Sequence, residues 1–221
     1  MSQPGMPSVP FNTAPQEPRR VLLHVGCGPK GNRQLNPMYR DTSQWREIRL
    51  DLDPTVKPDI VCSFVDMRAH VPDASADAIW SSHNIEHLFD HEVPLALAEF
   101  VRVLKPGGYT LIRTPDLNAI VEAIVKNGLE FPAYMSPAGP ITPLDMLYGH
   151  RPSIARGNTF MAHHTTFTDI RLANLLMQAG FAEARTRKDS GFDLWAVGFT
   201  EDADVPAILA ELEAHGLSFR E

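Results

Sequence analysis

The chain has 221 residues, 43% of them hydrophobic, enough for one domain with a sizeable core. A formal net charge of −7, with the twenty Lys and Arg scattered rather than clustered, argues against a nucleic-acid substrate, which would need a basic surface to displace counterions. Two cysteines in apolar runs give no basis for a disulfide framework, and the sequence has neither a run of 18 apolar residues nor a leader-like segment, so a cytoplasmic protein without a membrane partner is expected.

Residues 1–19 hold five prolines and no hydrophobic period, the composition of a disordered tail. The apolar run Arg20–Val25 ends at Gly26 and reads as a buried strand. Further strands are expected at Glu47–Asp51, at the β-branched Asp59–Val65 and at Asp77–Ser82. Val93, Leu97, Phe100 and Leu104 then fall on one helical face, and Pro106-Gly107-Gly108 stops that helix. A fifth strand follows at Tyr109–Thr114 and another helix at 117–126.

From about residue 131 to 167 the pattern breaks into a long insertion rich in proline, with Met, Tyr, Phe and His too plentiful for a solvated linker. Insertions of that length are usually functional, and this one is expected to be a lid. Thr168 can cap a helix over 169–179 that Gly180 ends. Two closing strands near 182–188 and 193–199 suggest a hairpin, which puts one antiparallel strand at the edge of the sheet. The stretch 201–221 is a helical extension whose apolar face (Val205, Ile208, Leu209, Leu212) suits core packing or a homodimer contact better than a membrane. Strands that are apolar throughout and alternate with helices imply an α/β fold with a mainly parallel sheet covered on both faces.

The chemistry is expected at the carboxyl ends of the strands, where ligands bind in such sheets. The first strand runs into Gly26-Cys27-Gly28-Pro29-Lys30-Gly31, whose glycines allow a tight turn and backbone contact with a ligand. Asp51, twenty residues after Gly31, is placed to accept from a ribose diol. This spacing suits a nicotinamide dinucleotide and S-adenosylmethionine alike. The polar Asn32–Pro37 segment is a poor start for the helix that a pyrophosphate requires, which favours the second ligand.

Four blocks, His24-Val-Gly-Cys-Gly28, Leu50-Asp-Leu-Asp-Pro54, Ser82-His-Asn-Ile-Glu-His-Leu88 and Glu99-Phe-Val-Arg-Val-Leu-Lys-Pro-Gly-Gly108, follow one another in this order. They resemble the signature blocks of class I S-adenosylmethionine-dependent methyltransferases, over about residues 20–200. The resemblance implies a Rossmann-like three-layer α/β sandwich with a seven-stranded sheet, S-adenosylmethionine as cofactor and a small-molecule acceptor. It implies that Gly26, Cys27 and Gly28 contact the methionine part, that Asp51 holds the ribose and that Asp66 and Met67 flank the adenine. Ser82 and His83 would lie where cofactor and acceptor meet. Two departures stand out. The distance from Asp66 to Asp77 is short by about one residue, so Ser63 or Val65 is an alternative at the adenine. Gly31–Trp45 lacks the usual amphipathic helix, so one face of the sheet is expected to be thinly covered or closed by the insertion.

Methyl transfer to an oxygen or nitrogen needs a base, and histidine has the suitable proton affinity. His83, His150 and His163 are the catalytic candidates by location, with His164 beside them. Glu86-His87 reads as an architectural pair. No metal site is expected, because the adjacent His163 and His164 point to opposite sides of an extended chain and no Cys, Asp or Glu lies at zinc-like spacing from them. The alternative from another class is a non-catalytic S-adenosylmethionine-binding sensor or partner subunit.

Overall fold

The computed structural model describes residues 19–31, 35–189 and 191–219; the proline-rich tail expected at 1–19 lies, except for Arg19, outside them. The described strands are β1 (Arg20–Val25), β2 (Trp45–Asp51), β3 (Ile60–Val61), β4 (Ala76–Ser82), β5 (Leu104–Pro115), β6 (Tyr134–Ser136), β7 (Gly139–Ile141), β8 (Glu183–Lys188) and β9 (Asp193–Phe199). The α-helices are α1 (Val93–Val103), α2 (Leu117–Asn127), α3 (Pro143–Tyr148), α4 (Arg151–Ala155), α5 (Asp169–Ala179) and α6 (Val205–Ala214). Seven strands form one sheet in the order β3-β2-β1-β4-β5-β9-β8. The five from β3 to β5 are parallel neighbours, and β9 runs antiparallel to β5 and to β8, the hairpin expected at the end of the sheet.

Alternation along the strands splits the core in two. Leu23 and Val25 face a cluster built with Val93, Leu97 and Phe100 of α1 and Leu172 and Leu176 of α5. Leu22, Trp80, Leu111 and Val197 face the other way, against Met38, Tyr39, Trp45, Leu212, Leu217 and Phe219. The second face is therefore closed neither thinly nor by the insertion. A short 3-10 turn at Pro37–Tyr39, Trp45 packed edge-on to Tyr39 at 5.0 Å, and the C-terminal segment replace the missing helix.

The third strand is shorter than its composition suggests. Ile60 and Val61 pair with Leu50 and Asp51, where β2 ends, so after the Cys62 N–H has reached the Asp51 carbonyl, Ser63–Val65 have no β2 backbone to continue against. Phe64 turns in towards Phe100 instead, 6.1 Å between rings.

The insertion is folded. A hairpin β6–β7 leads into α3, whose start carries a reciprocal cap between Thr142 and Asp145 and a proline in its first turn. Asp145 also accepts from Arg151 Nε at 2.9 Å; although burial opposes its charge, these bonds hold its carboxyl down at about 2. Ile141 and Met146 make a small core with Ile120 of α2, flanked by Leu147 and Phe192. Gly149 has a φ of +88°, and a Cβ there would lie 1.7 Å from the Met161 carbonyl oxygen, so the returning chain passes where only glycine leaves room.

Candidate functional site

Because β1, β2 and β4 are parallel neighbours, Gly26, Asp51 and Ser82 stand side by side at one end of the sheet. One cavity of about 1170 Å³ starts there, at Gly26, Gly28, Asp51 and Leu52, and runs beneath the insertion to Met146, His150 and His163. A pocket for a single small ligand holds roughly 300–1,000 Å³, so this one has room for a cofactor and an acceptor together.

The first loop is shaped by hydrogen bonds to β2. Gly26 and Gly28 both have left-handed φ, +58° and +59°. The Gly28 N–H donates to Asp51 Oδ2 at 2.8 Å and the Asp53 N–H to Asp51 Oδ1 at 2.9 Å. Each oxygen keeps a second lone pair, and the carboxylate lines the cavity. The Arg49 guanidinium holds the loop from below by donating to the carbonyls of Gly28 and Lys57. Gly26 is glycine for an additional reason: a Cβ would lie 2.1 Å from Asn84 Oδ1, whose amide donates to the Val25 carbonyl.

Of the expected cofactor residues, Gly26, Gly28, Asp51, Ser82 and His83 line the cavity, whereas Cys27, Asp66 and Met67 do not. Cys27 is 1% exposed, its N–H is taken by Leu50 and burial pushes its thiol up to about 12, so it is packing under the loop. Met67 is wholly buried and its N–H donates to Glu99 Oε2 at 2.7 Å. The Asp66 side chain is 69% exposed and stands beside Arg68. Ser63, the alternative, reaches the cavity, with Phe64 and Leu52. The short spacing after Asp66 leaves that residue past the bend that follows β3.

The other end of the cavity is polar. His83 follows β4 with φ +54°, a strained value for a residue with a Cβ. Its imidazole lies between two carboxylates, Nδ1 at 3.4 Å from Glu86 Oε1 and Nε2 at 3.3 Å from Asp193 Oδ1. Arg113 bonds the other Asp193 oxygen. Burial pushes the His83 proton affinity down, but hydrogen bonds and charge from Asp193 and Glu86 outweigh it and raise it to about 9. Burial likewise opposes the Glu86 charge, and His83 more than compensates, leaving Glu86 below its ordinary value. Glu86 Oε2 also accepts from Thr114 Oγ1 at 3.0 Å.

Glu86 and His87 sit on a 3-10 turn, Ile85–His87, and the insertion comes down on it. The Glu86 carbonyl accepts from the N–H groups of His164 and Thr165, at 2.8 and 3.3 Å. His163 thereby meets His87 edge-on, with ring centres 4.8 Å apart. Each ring donates Nδ1–H to a carbonyl, His87 to Ala162 at 2.9 Å and His163 to Met146 at 2.8 Å. A carbonyl only accepts, so Nδ1 is the protonated nitrogen in both rings, and in a neutral ring the lone pair stands on Nε2. Burial foremost holds His163 below its ordinary proton affinity. His150 lines the cavity too, its Nδ1 bonded to Ser153 Oγ at 2.7 Å, and His164 stacks on Phe89 at 4.1 Å.

Glu86 and His87, read from the sequence as an architectural pair, both line the cavity, and so does Asp193, which Arg113 holds and which no motif announces. A glutamate between the fully buried Ile85 and the nearly buried Leu88 was the available signal.

Residues 23–112 match the family model of the methyltransferase domain. Among curated proteins, none matches the sequence. Among solved structures, an S-adenosylmethionine-dependent methyltransferase from Archaeoglobus fulgidus superposes with a TM-score of 0.54 at 14% identity, over 82% of this chain and 86% of that one. An O-methyltransferase family protein from Burkholderia thailandensis gives 0.56 at 16%, over 84% of this chain and 52% of that one. The carbon methyltransferase DszA gives 0.55 at 10%, over 86% and 49%. Fold and site define a Rossmann-like α/β domain with its ligand cavity at the carboxyl edge of a mainly parallel sheet. The segment matched by the methyltransferase-domain model spans β1 to the middle of β5, and the neighbouring structures share the fold of the whole domain.

Proposed function

We propose that this protein is an S-adenosylmethionine-dependent methyltransferase acting on an oxygen or nitrogen of a small molecule held under the insertion. The observation that carries this is the single cavity joining the Gly26–Gly28 loop and Asp51 to His87 and His163. Gly26, Gly28 and Asp51 would hold the methionine and ribose parts, with Leu52, Ser63 and Phe64 along the adenine. Bound there, the cofactor supplies a methyl group already activated on a sulfonium, so the protein's tasks are alignment, exclusion of water and management of one proton.

The proton falls to His163. Its imidazole is neutral at neutral pH and offers a lone pair at Nε2, whereas His83 is an imidazolium with none to offer. His83 instead neutralises Glu86 and Asp193 and sets the electrostatics of the acceptor end. His150 serves as a contact for the acceptor from the lid. Neighbours named for oxygen and for carbon transfer share the fold about equally, so the acceptor atom is argued from this proton-accepting site.

The test is calorimetry with S-adenosylhomocysteine, followed by a labelled-cofactor screen of size-fractionated extracts. Micromolar binding and label transfer to a low-mass fraction are expected. Binding without transfer would favour a sensor or partner subunit, and absence of binding would end the proposal.

A further inference from the structure

We propose that Glu86, His87 and His163 form a binding site for a divalent transition-metal ion of the zinc type, opening on the cavity. One donor atom from each residue lies within 4.8 Å of the other two. A tetrahedral ion with bonds near 2 Å sets its ligands roughly 3.3 Å apart, so the cluster has to contract by up to about 1.5 Å on loading. That is within the reach of side-chain adjustment, since two of the three ligands sit on one short turn and the third on the segment bonded to it.

The surroundings match what a metal centre requires beyond its ligands. A ligating imidazole characteristically donates its other N–H to a backbone carbonyl or carboxylate, which fixes the tautomer and the ring plane. Both rings do this, His87 to Ala162 and His163 to Met146. A ligating carboxylate is itself hydrogen-bonded, and Thr114 Oγ1 donates to Glu86 Oε2. Glu86 is 1% exposed, and its Oε1 faces only the His83 ring, 3.4 Å away, a long contact that leaves this oxygen a lone pair for a further partner. A buried carboxylate oxygen with a lone pair to spare, beside two imidazoles whose Nδ1–H groups are committed to carbonyls, is a donor set that a cation can complete.

Two imidazoles and one carboxylate suit zinc, cobalt, nickel or ferrous iron, and are the wrong set for magnesium or calcium, which take oxygen ligands. With three protein ligands a fourth position stays open, and all three residues line the cavity. An acceptor that presents an oxygen to the ion would therefore be favoured, and His163 would then act as a ligand rather than as the proton acceptor. That consequence rests on the cavity being an acceptor pocket; the binding of the ion does not. Because His163 arrives on the insertion, loading should also fasten the lid to the Ile85–His87 turn.

The experiment is titration of the full-length, chelator-treated protein with Zn²⁺ against a chromophoric competitor, and with Co²⁺ followed in the visible spectrum. One equivalent of Zn²⁺ is expected to bind at micromolar or tighter affinity, with Co²⁺ giving bands of a nitrogen- and oxygen-ligated ion. His87→Gln and His163→Gln should each weaken binding at least a hundredfold, while a variant carrying His91→Ala and His164→Ala, whose rings flank Phe89, should bind as the parent does. Circular dichroism establishes that the variants fold, and the cobalt spectrum of the parent needs no variant. Failure to bind one equivalent, or parent-like binding in both glutamine variants, overturns the site. Homocysteine-cofactor binding on the same samples separates the two proposals: metal without S-adenosylhomocysteine overturns the methyltransferase reading alone, and the reverse overturns the metal alone.

Discussion

At the cofactor end of the cavity, the contacts are between neighbouring parallel strands: Val25 is in register with Leu50, and the loop that follows closes on Asp51 through a backbone N–H. At the acceptor end, the contacts join positions as distant as Glu86 and His164, through side chains, one carbonyl and a lid with its own small core. The first arrangement follows from sheet geometry, with glycine at the turn as its main local requirement. The second depends on the insertion folding in one way, so a substitution far from any ligand can dismantle it.

The largest effect should come from removing the proposed proton acceptor. His163→Ala is expected to lower turnover by about 10²–10⁴-fold, the usual span for general-base catalysis, while S-adenosylhomocysteine affinity stays within about twofold. Loss of both would show that the two ends are not separable. Next in size is Asp51→Ala, which removes the acceptor of the Gly28 and Asp53 N–H groups as well as the proposed ribose partner. Calorimetry should show cofactor affinity weaker by about 1.5–3 kcal/mol, the range for bonds to a charged group. Unchanged affinity would move the ribose site to Asp53.

Gly149→Ala tests the lid alone. A Cβ at φ +88°, 1.7 Å from the Met161 oxygen, should loosen residues 143–165 to limited proteolysis and slow turnover, yet leave cofactor affinity as it was. Equal protease resistance in the mutant would count against a lid held by that close approach.

The smallest effect is electrostatic. His83 binds its proton at about 9 in the folded chain against 6.5 in a free one, so the folded state holds the proton more tightly. Its contribution to stability is complete below about pH 6.5 and fades as pH rises towards 9. Thermal melts across that window should show a decline that His83→Gln removes. A decline of equal size in the mutant would mean that the imidazolium does not hold Glu86 and Asp193 together.

Local pattern carried most of the scaffold. The 169–179 helix between Thr168 and Gly180 and the 193–199 strand lie where capping and apolar runs place them. Gly26, Gly28 and Asp51 were readable because they are tied to the first two strand ends, and strand ends are encoded locally. The Asp59–Val65 strand came out too long, since β-branched residues describe an extended preference and not the length of the neighbouring strand. The missing helix after Gly31 was visible, but its replacement by residues 205–219 was not.

What the sequence determined by itself is the α/β frame, the position of the first loop and its acid, and the presence of an insertion rich in histidine. Only the tertiary structure decided which histidines meet and what surrounds each of them. Glu86 and His87 became functional candidates when His163 arrived 76 residues later to share their space, and His83 lost its free lone pair when Asp193 closed on it from β9. Proton affinity and ligand sets are properties of what surrounds a side chain within a few ångströms, and the spacing of residues along the chain does not contain that distance.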